Sequence, residues 1–359
     1  MPKMCEKQKI AIIGPYPPPY GGISVHIQRV LNYLDEEKYA YDFFLENRTA
    51  KCSNSTYKFY GFKKLLSLCK LLFKKYFLIH HHSPDWKTRV ILSVYGILGK
   101  SVYLHIHGAS LKDTVENGGI KSFLTRKLLR FVNIIADNED IAQLAQKYSP
   151  NSLAIIDAFL PPLYNQEVYK NFITRYKDIL QGQNYVISMV GWFTYYEGQD
   201  LYGFDIALDA LHRFKKEVDK DVLFLVSING VISEELHKKV NDYIQKNNLM
   251  TNVFFLYEEM PEVWPIYLVS NVFIRPTCTD GSALSVKEAM WFETPVIASN
   301  CVPRPEGVVL FKNRSAEDLF SRIMQVYNSN QQGKDVEAQI SSVQGKKLKY
   351  KLFEDIYQI

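Results

Sequence analysis

Residues 275–299, RPTCTDGSALSVKEAMWFETPVIAS, decide how the rest of the chain is read. An apolar strand ending at Ile274 stops at a Pro-Thr turn. A small-residue loop follows (Thr279, Asp280, Gly281, Ser282, Ala283), and then a helix is expected over 284–292. Thr294 and Pro295 end that helix, and a second strand begins at Val296. At such a helix start the unpaired backbone N–H groups and the helix dipole point the same way, which makes an anion site. Asp280 and Glu288 are separated by about two helical turns and so fall on roughly the same side. A phosphate-accepting helix start flanked by two carboxylates suits a nucleotide-sugar, which offers one diphosphate and two sets of hydroxyls. The same pattern also fits an ordinary βαβ crossover with a capped helix.

Working outward, the residues before this stretch alternate strand and helix from Tyr185: YVISMVG, a helix over 203–218, VLFLVSI, a helix over 233–247, VFFLY, a helix near Trp264, and VFIRP. The first half alternates in the same way. Strands are expected at 9–14, 41–45, 77–82, 101–107 and 133–137, with helices at 23–34, from Phe62, and over 86–98, 120–130 and 140–146. Such alternation means parallel, doubly wound sheets. Two halves of this kind give two Rossmann-like domains facing a cleft, with expected bounds 1–165 and 183–335. Residues 157–182 contain Pro161, Pro162 and a polar run, and read as the connection between them. Residues 328–347 read as a second polar connector, and the closing KYKLFEDIYQI reads as helical.

The central stretch resembles the acidic–seven residues–acidic motif of the retaining glycosyltransferases of family four, which have the GT-B fold. Asp280 takes the place of the usual first Glu and Glu288 that of the second. EAM, TPVIAS and the following NCVPRPEGVVLF (300–311) fit as well, the last resembling the Arg-Pro-Glu-Gly-Val segment of polysaccharide-assembly members. The resemblance implies a GT-B protein with an acceptor-side first domain, a donor-binding second domain, and a C-terminal helix (346–359) packed back on the first.

It also implies roles. Asp280 holds donor-sugar hydroxyls, the backbone of Gly281, Ser282, Ala283, Leu284 and Ser285 meets the diphosphate, and Glu288 takes the ribose hydroxyls. The segment from Tyr257 to Met260 lies near the base. His107, at the end of the strand ending HIHG, sits at the reacting face, and Gly21-Gly22, before the first helix, faces donor or acceptor. Family members carry an Arg after the first strand of the second domain and a Lys further on, both clamping the diphosphate. Here Gly191 is followed by Trp192 and Phe193, and Tyr202-Gly203 replaces Lys-Gly. Losing two cations should weaken binding of the leaving group, on which charge develops as the glycosidic bond breaks, so either Arg275, Arg304 or another cation substitutes, or the donor differs, or activity is reduced.

Other readings rest on the residues alone. GxGxxG is absent and Gly14 is followed by Pro-Tyr-Pro-Pro-Pro, which argues against a dinucleotide enzyme. His105 and His107 share one strand face. In His80-His81-His82 only His80 and His82 could share a metal, because strand neighbours alternate. No metal or other cofactor is expected. Phe62, Leu65, Leu66, Cys69, Leu72, Phe73 and Tyr76 share a helical face amid lysines. That face either packs on its own sheet or, with the lysines, meets anionic lipid.

A net charge of +5 over 359 residues is too modest to imply nucleic acid. Five scattered cysteines without CxxC read as reduced thiols. With no signal peptide and no apolar span, the expected location is cytoplasmic, with contact at the inner membrane face left open. The expected activity is transfer of a hexose-type sugar, with retention, from a nucleotide-diphosphate sugar to a saccharide or lipid-linked saccharide in surface polysaccharide assembly. The alternative is a sugar-nucleotide-binding scaffold with reduced catalysis.

Overall fold

The computed structural model describes residues 9–18, 21–48, 52, 55–108, 110–162, 164–218, 221–257, 260, 262–280, 283–329, 335–345 and 350–358. The chain divides into two compact units, residues 1–160 with 348–359, and residues 161–347.

In the first unit the strands are β1 (Ile10–Gly14), β2 (Tyr41–Leu45), β3 (Ser55–Lys58), β4 (Leu78–His81), β5 (Val102–Ile106), β6 (Asn133–Ala136) and β7 (Ser152–Ile155). They form one parallel sheet in the order β3-β2-β1-β4-β5-β6-β7. Its helices are α1 (Gly22–Glu36), α2 (Lys63–Phe73), α3 (Trp86–Ile97), α4 (Ser110–Glu116), α5 (Gly119–Leu128) and α6 (Glu139–Gln146). β1 is apolar on both faces and wholly buried, as a sheet covered by helices on both sides requires. At its end Gly14 lets α1 approach: a Cβ there would lie 2.4 Å from Ile27 Cδ1 and 3.3 Å from His82 Cβ.

The second unit adds α7 (Gln166–Arg175), α8 (Lys177–Leu180), β8 (Tyr185–Phe193), a small hairpin of β9 (Tyr195–Tyr196) and β10 (Gln199–Asp200), α9 (Phe204–Glu217) and β11 (Val222–Val231). It continues with α10 (Glu234–Lys246), β12 (Val253–Leu256), α11 (Pro265–Val269), β13 (Val272–Arg275), α12 (Leu284–Trp291), β14 (Val296–Ser299), β15 (Val309–Phe311), α13 (Ala316–Ser329) and α14 (Val336–Gly345). Its parallel sheet has the order β12-β11-β8-β13-β14-β15. In both sheets the first strand has later strands on either side, so each has a switch point at which open α/β sheets bind ligands.

Three expectations are corrected. The presumed linker 157–182 carries α7 and α8, and Phe172 of α7 and Tyr176 between the two helices are buried against Leu225 and Leu256 of the second unit. Its few apolar side chains sit at helical spacing, which a polar average conceals. The second presumed connector contains α14, with Val343 buried. The division therefore falls at 160/161, and residues 336–345 are structured parts of the second unit. Third, the apolar face read on α2 does not pack as one. Ser67, Leu68 and Leu71 turn inward, while Phe62, Leu65, Leu66 and Phe73 are 81%, 58%, 57% and 81% exposed. The C-terminal segment enters the first unit's core as a wide helical turn over Leu352–Tyr357, with Phe353 stacked on Tyr33 at 3.9 Å.

Candidate active site

β13 lies beside β8 at the switch point of the second sheet, and the chain leaves it at Arg275. The Arg275 guanidinium donates from Nε to Asp280 Oδ2 and from Nη2 to Asp280 Oδ1, both at 2.9 Å, and from Nη1 to the Val190 carbonyl at 3.2 Å. Arg304 Nη1 donates to Asp280 Oδ2 at 2.8 Å, and Thr277 Oγ1 donates to the same oxygen at 3.2 Å. Burial alone would raise the Asp280 carboxyl. The hydrogen bonds and charges of Arg275 and Arg304 outweigh it and hold the group below the usual carboxylate range. Asp280 is thus an ionised, nearly buried carboxylate already engaged by two guanidinium groups.

The aromatic replacements are built into the packing. Tyr202 covers Gly191, where a Cβ would come within 2.9 Å of the ring. The Arg275 guanidinium lies 5.0 Å from the centre of the same Tyr202 ring, a cation–π contact. The Trp192 indole lies on Gly230, where a Cβ would meet it at 2.8 Å. Phe193 is fully buried and stacks on Phe204 at 4.6 Å, so it belongs to the core.

Ala283, in the N-cap position just before α12, is a non-glycine residue in the left-handed region (φ 43°, ψ 56°) with no side-chain cap to offer. Such a conformation costs about 1–2 kcal/mol and is typical of sites held for a purpose. Leu284 and Ser285 open the helix, half-buried, while Gly281 and Ser282 lie outside the described residues. Glu288 is 5% exposed and accepts a 3.0 Å hydrogen bond from the Tyr267 hydroxyl. Tyr257 is half exposed, its hydroxyl 2.8 Å from His237 Nε2. Met260 packs on the cluster around Phe172, and residues 258 and 259 lie outside the described residues.

In the first unit Gly21 is extended (φ −140°, ψ 166°) and exposed, and an added Cβ would meet nothing closer than Ser24 Oγ at 4.0 Å. Neither backbone conformation nor packing demands glycine there. Gly22 opens α1. His107 stands just after β5, with Nδ1 3.1 Å from Asp137 Oδ2 and Nε2 3.2 Å from His82 Nδ1. Sequence reasoning quoted Arg304 but did not see it on Asp280, and it missed Asp137 and His26 altogether. Neither of those two carries a local motif, and both join the group only through tertiary packing.

Residues 173–341 match the family model described as glycosyl transferases group 1. No curated protein matches the chain by sequence. Among solved structures the chain is similar to HepE of Anabaena in complex with UDP and glucose (14% identity, 94% of this chain and 98% of that one, TM-score 0.58). It is also similar to a glycosyltransferase of Rickettsia africae (16% identity, 94% of each chain, TM-score 0.57). A third is a UDP-forming α,α-trehalose-phosphate synthase of Burkholderia vietnamiensis (11% identity, 95% and 96%, TM-score 0.60). The fold is GT-B, and the match to the glycosyl transferases group 1 model covers residues 173–341, within the second unit.

Proposed function

We propose that the protein transfers a hexose-type sugar, with retention, from a nucleotide-diphosphate sugar to a saccharide or lipid-linked saccharide during surface polysaccharide assembly. The observation that carries this reading is the Asp280–Glu288 stretch, standing at the second sheet's switch point inside the matched region. HepE and other neighbours were solved with UDP or UDP-sugars, which supports a nucleotide-sugar donor here.

In this reading the start of α12 takes the diphosphate and Glu288 the ribose, while Asp280, poised by Arg275 and Arg304, meets the donor sugar. His107 acts at the reacting centre. The transition state is oxocarbenium-like. The leaving phosphate departs on the face that the acceptor enters and helps to deprotonate it, so no enzymic nucleophile is needed. No metal is needed for this transfer. With Trp192 and Tyr202 in place of cations, the helix start and Arg275 carry the phosphate charge.

The working place is the cytoplasm, with peripheral contact at an anionic inner membrane face. The exposed Phe62, Leu65, Leu66 and Phe73 beside Lys63, Lys70 and Lys75 support that contact. No helix among the described residues is long and apolar enough to cross a membrane.

Thermal shift with UDP-, GDP- and ADP-sugars, followed by donor-hydrolysis and transfer assays, tests the reading. A rise in Tm with one nucleotide series, together with turnover, supports it. The second reading, a scaffold with reduced catalysis, is motivated by the glycine-matched packing of Trp192 and Tyr202. Stabilisation without turnover, even with membrane extract as acceptor, would favour it. If no nucleotide stabilises the protein, the donor-site assignment fails.

A further inference from the structure

Five histidines of the first unit collect behind its switch point: His26 of α1, His80 of β4, His82 just after it, His105 of β5, and His107. Ring centroids lie 5.3 Å apart for His26–His82, 5.4 Å for His26–His105 and 5.1 Å for His82–His105. These three rings are 0–2% exposed.

The hydrogen bonds around these rings decide which nitrogen of each carries the proton. His26 Nδ1 lies 2.7 Å from the Ala158 carbonyl, which can only accept, so the proton is on Nδ1 and the lone pair on Nε2. His105 Nε2 lies 3.0 Å from Asp137 Oδ1, which likewise accepts, so the lone pair is on Nδ1. His107 Nδ1 donates to Asp137 Oδ2, and in the neutral ring its Nε2 then accepts from His82 Nδ1 at 3.2 Å. That leaves the lone pair of His82 on Nε2.

The three nitrogens left over, Nε2 of His26, Nε2 of His82 and Nδ1 of His105, are all buried without a hydrogen-bond partner among the described residues. One ring nitrogen from each of the three residues lies within 4.8 Å of one from each of the others. Buried lone pairs in one place with no donor cost free energy. The chemistry that relieves this is an electron-pair acceptor, not an anion. Three neutral imidazoles suit a first-row divalent transition metal, Zn²⁺ above all. Each ring is also oriented from behind by a carbonyl, a carboxylate or a second imidazole, as ligating histidines usually are.

We propose that His26, His82 and His105 form a buried Zn²⁺ site that ties α1 to the ends of β4 and β5. The ion would also fix the tautomer of His107 through His82, and so would act on the proposed transfer by positioning, not by chemistry. The site stands whether or not the donor reading does, because its test needs no sugar.

The test is metal analysis of untagged protein, followed by titration of the chelator-treated protein with Zn²⁺, and with Co²⁺ as a spectroscopic probe. The expected result is about one equivalent per chain, a raised Tm on metal addition, and Co²⁺ absorption of the kind given by nitrogen ligands in low coordination. His26→Gln and His82→Gln, each checked for folding by circular dichroism, should weaken binding by more than about tenfold, and Asp137→Asn by roughly tenfold. His81→Gln serves as control, since His81 points the other way, 3.7 Å from Glu46, and it should bind as wild type does. Wild-type protein that takes up no metal would overturn the site. So would unaltered binding in both His26→Gln and His82→Gln, or, should those variants not fold, a wild-type Co²⁺ spectrum without nitrogen ligation.

Discussion

Asp280 is the residue on which the second unit's loop is drawn together, since two guanidinium groups and a threonine hydroxyl share its two oxygens. Taking one guanidinium from this cluster leaves Asp280 paired with the other, so the cost is that of the charged hydrogen bonds lost and the buried acceptors left unpaired, about 1–3 kcal/mol. Arg304→Ala, whose guanidinium also bonds the Ser299 carbonyl, is therefore expected to lose about 1–3 kcal/mol in denaturant unfolding. A loss within experimental error would mean that the cluster is not formed in solution. The folded pKa of Asp280 lies below its ordinary 3.8, so its contribution to stability is present above that value and is lost as pH falls through the folded pKa. In wild type, acid unfolding should steepen below about pH 4, and Asp280→Asn should flatten that limb. Glu288 calls for a gentler change than alanine, because Tyr267 donates to it inside the core. Glu288→Gln keeps an acceptor for Tyr267, so its Tm without ligand should stay near wild type while the nucleotide-induced shift disappears. An unchanged shift would remove Glu288 from the ribose role.

Among the elements, α2 departs most from what its pattern suggested. Hydrophobic periodicity placed Phe62, Leu65, Leu66 and Phe73 on one face but could not say what that face meets. The sheet is met instead by Leu68 and Leu71, and Lys64 is turned to an ion pair with Asp85 at 2.8 Å. A Phe62→Ser, Leu65→Ser, Phe73→Ser variant should keep its Tm within about 1 °C, because exposed positions contribute little to stability. It should also lose co-sedimentation with vesicles containing anionic lipid. Equal sedimentation of variant and wild type would rule α2 out as the lipid-contacting element. Most strands were legible to within a residue or two, since a buried parallel strand is a short apolar run between turn residues. β3, β7 and α4 were not, because STYK, SLAI and SLKDTVE mix polar and apolar residues and are called into place by their neighbours.

At the scale of the whole molecule, the chain end belongs to the first unit's core. Leu352, Phe353 and Tyr357 are 0–2% exposed, the Tyr357 hydroxyl lies 2.7 Å from His80 Nδ1, and the Tyr350 hydroxyl donates to the Asp157 carbonyl at 2.9 Å. Burying one side chain of that size contributes about 1.5–3 kcal/mol. Deleting residues 348–359 should therefore raise amide exchange throughout β1, β4 and α1 while leaving β8, β11 and β13 protected. Equal loss of protection in both units would show that they unfold as one.

Local chemistry along the chain was enough to establish two doubly wound parallel halves, the strand–loop–helix at 275–299, and the carboxylate spacing of Asp280 and Glu288. Hydrophobic period, turn residues and motif spacing are all properties of neighbours in sequence, so they can be read without a structure. Only the tertiary structure decided that Arg275 and Arg304 both close on Asp280, that Tyr202 and Trp192 sit on Gly191 and Gly230, and that His26 joins His82 and His105. Each of those contacts joins residues on different elements. Which side chains meet there, and which nitrogen keeps its lone pair, depends on how the strands and helices are packed.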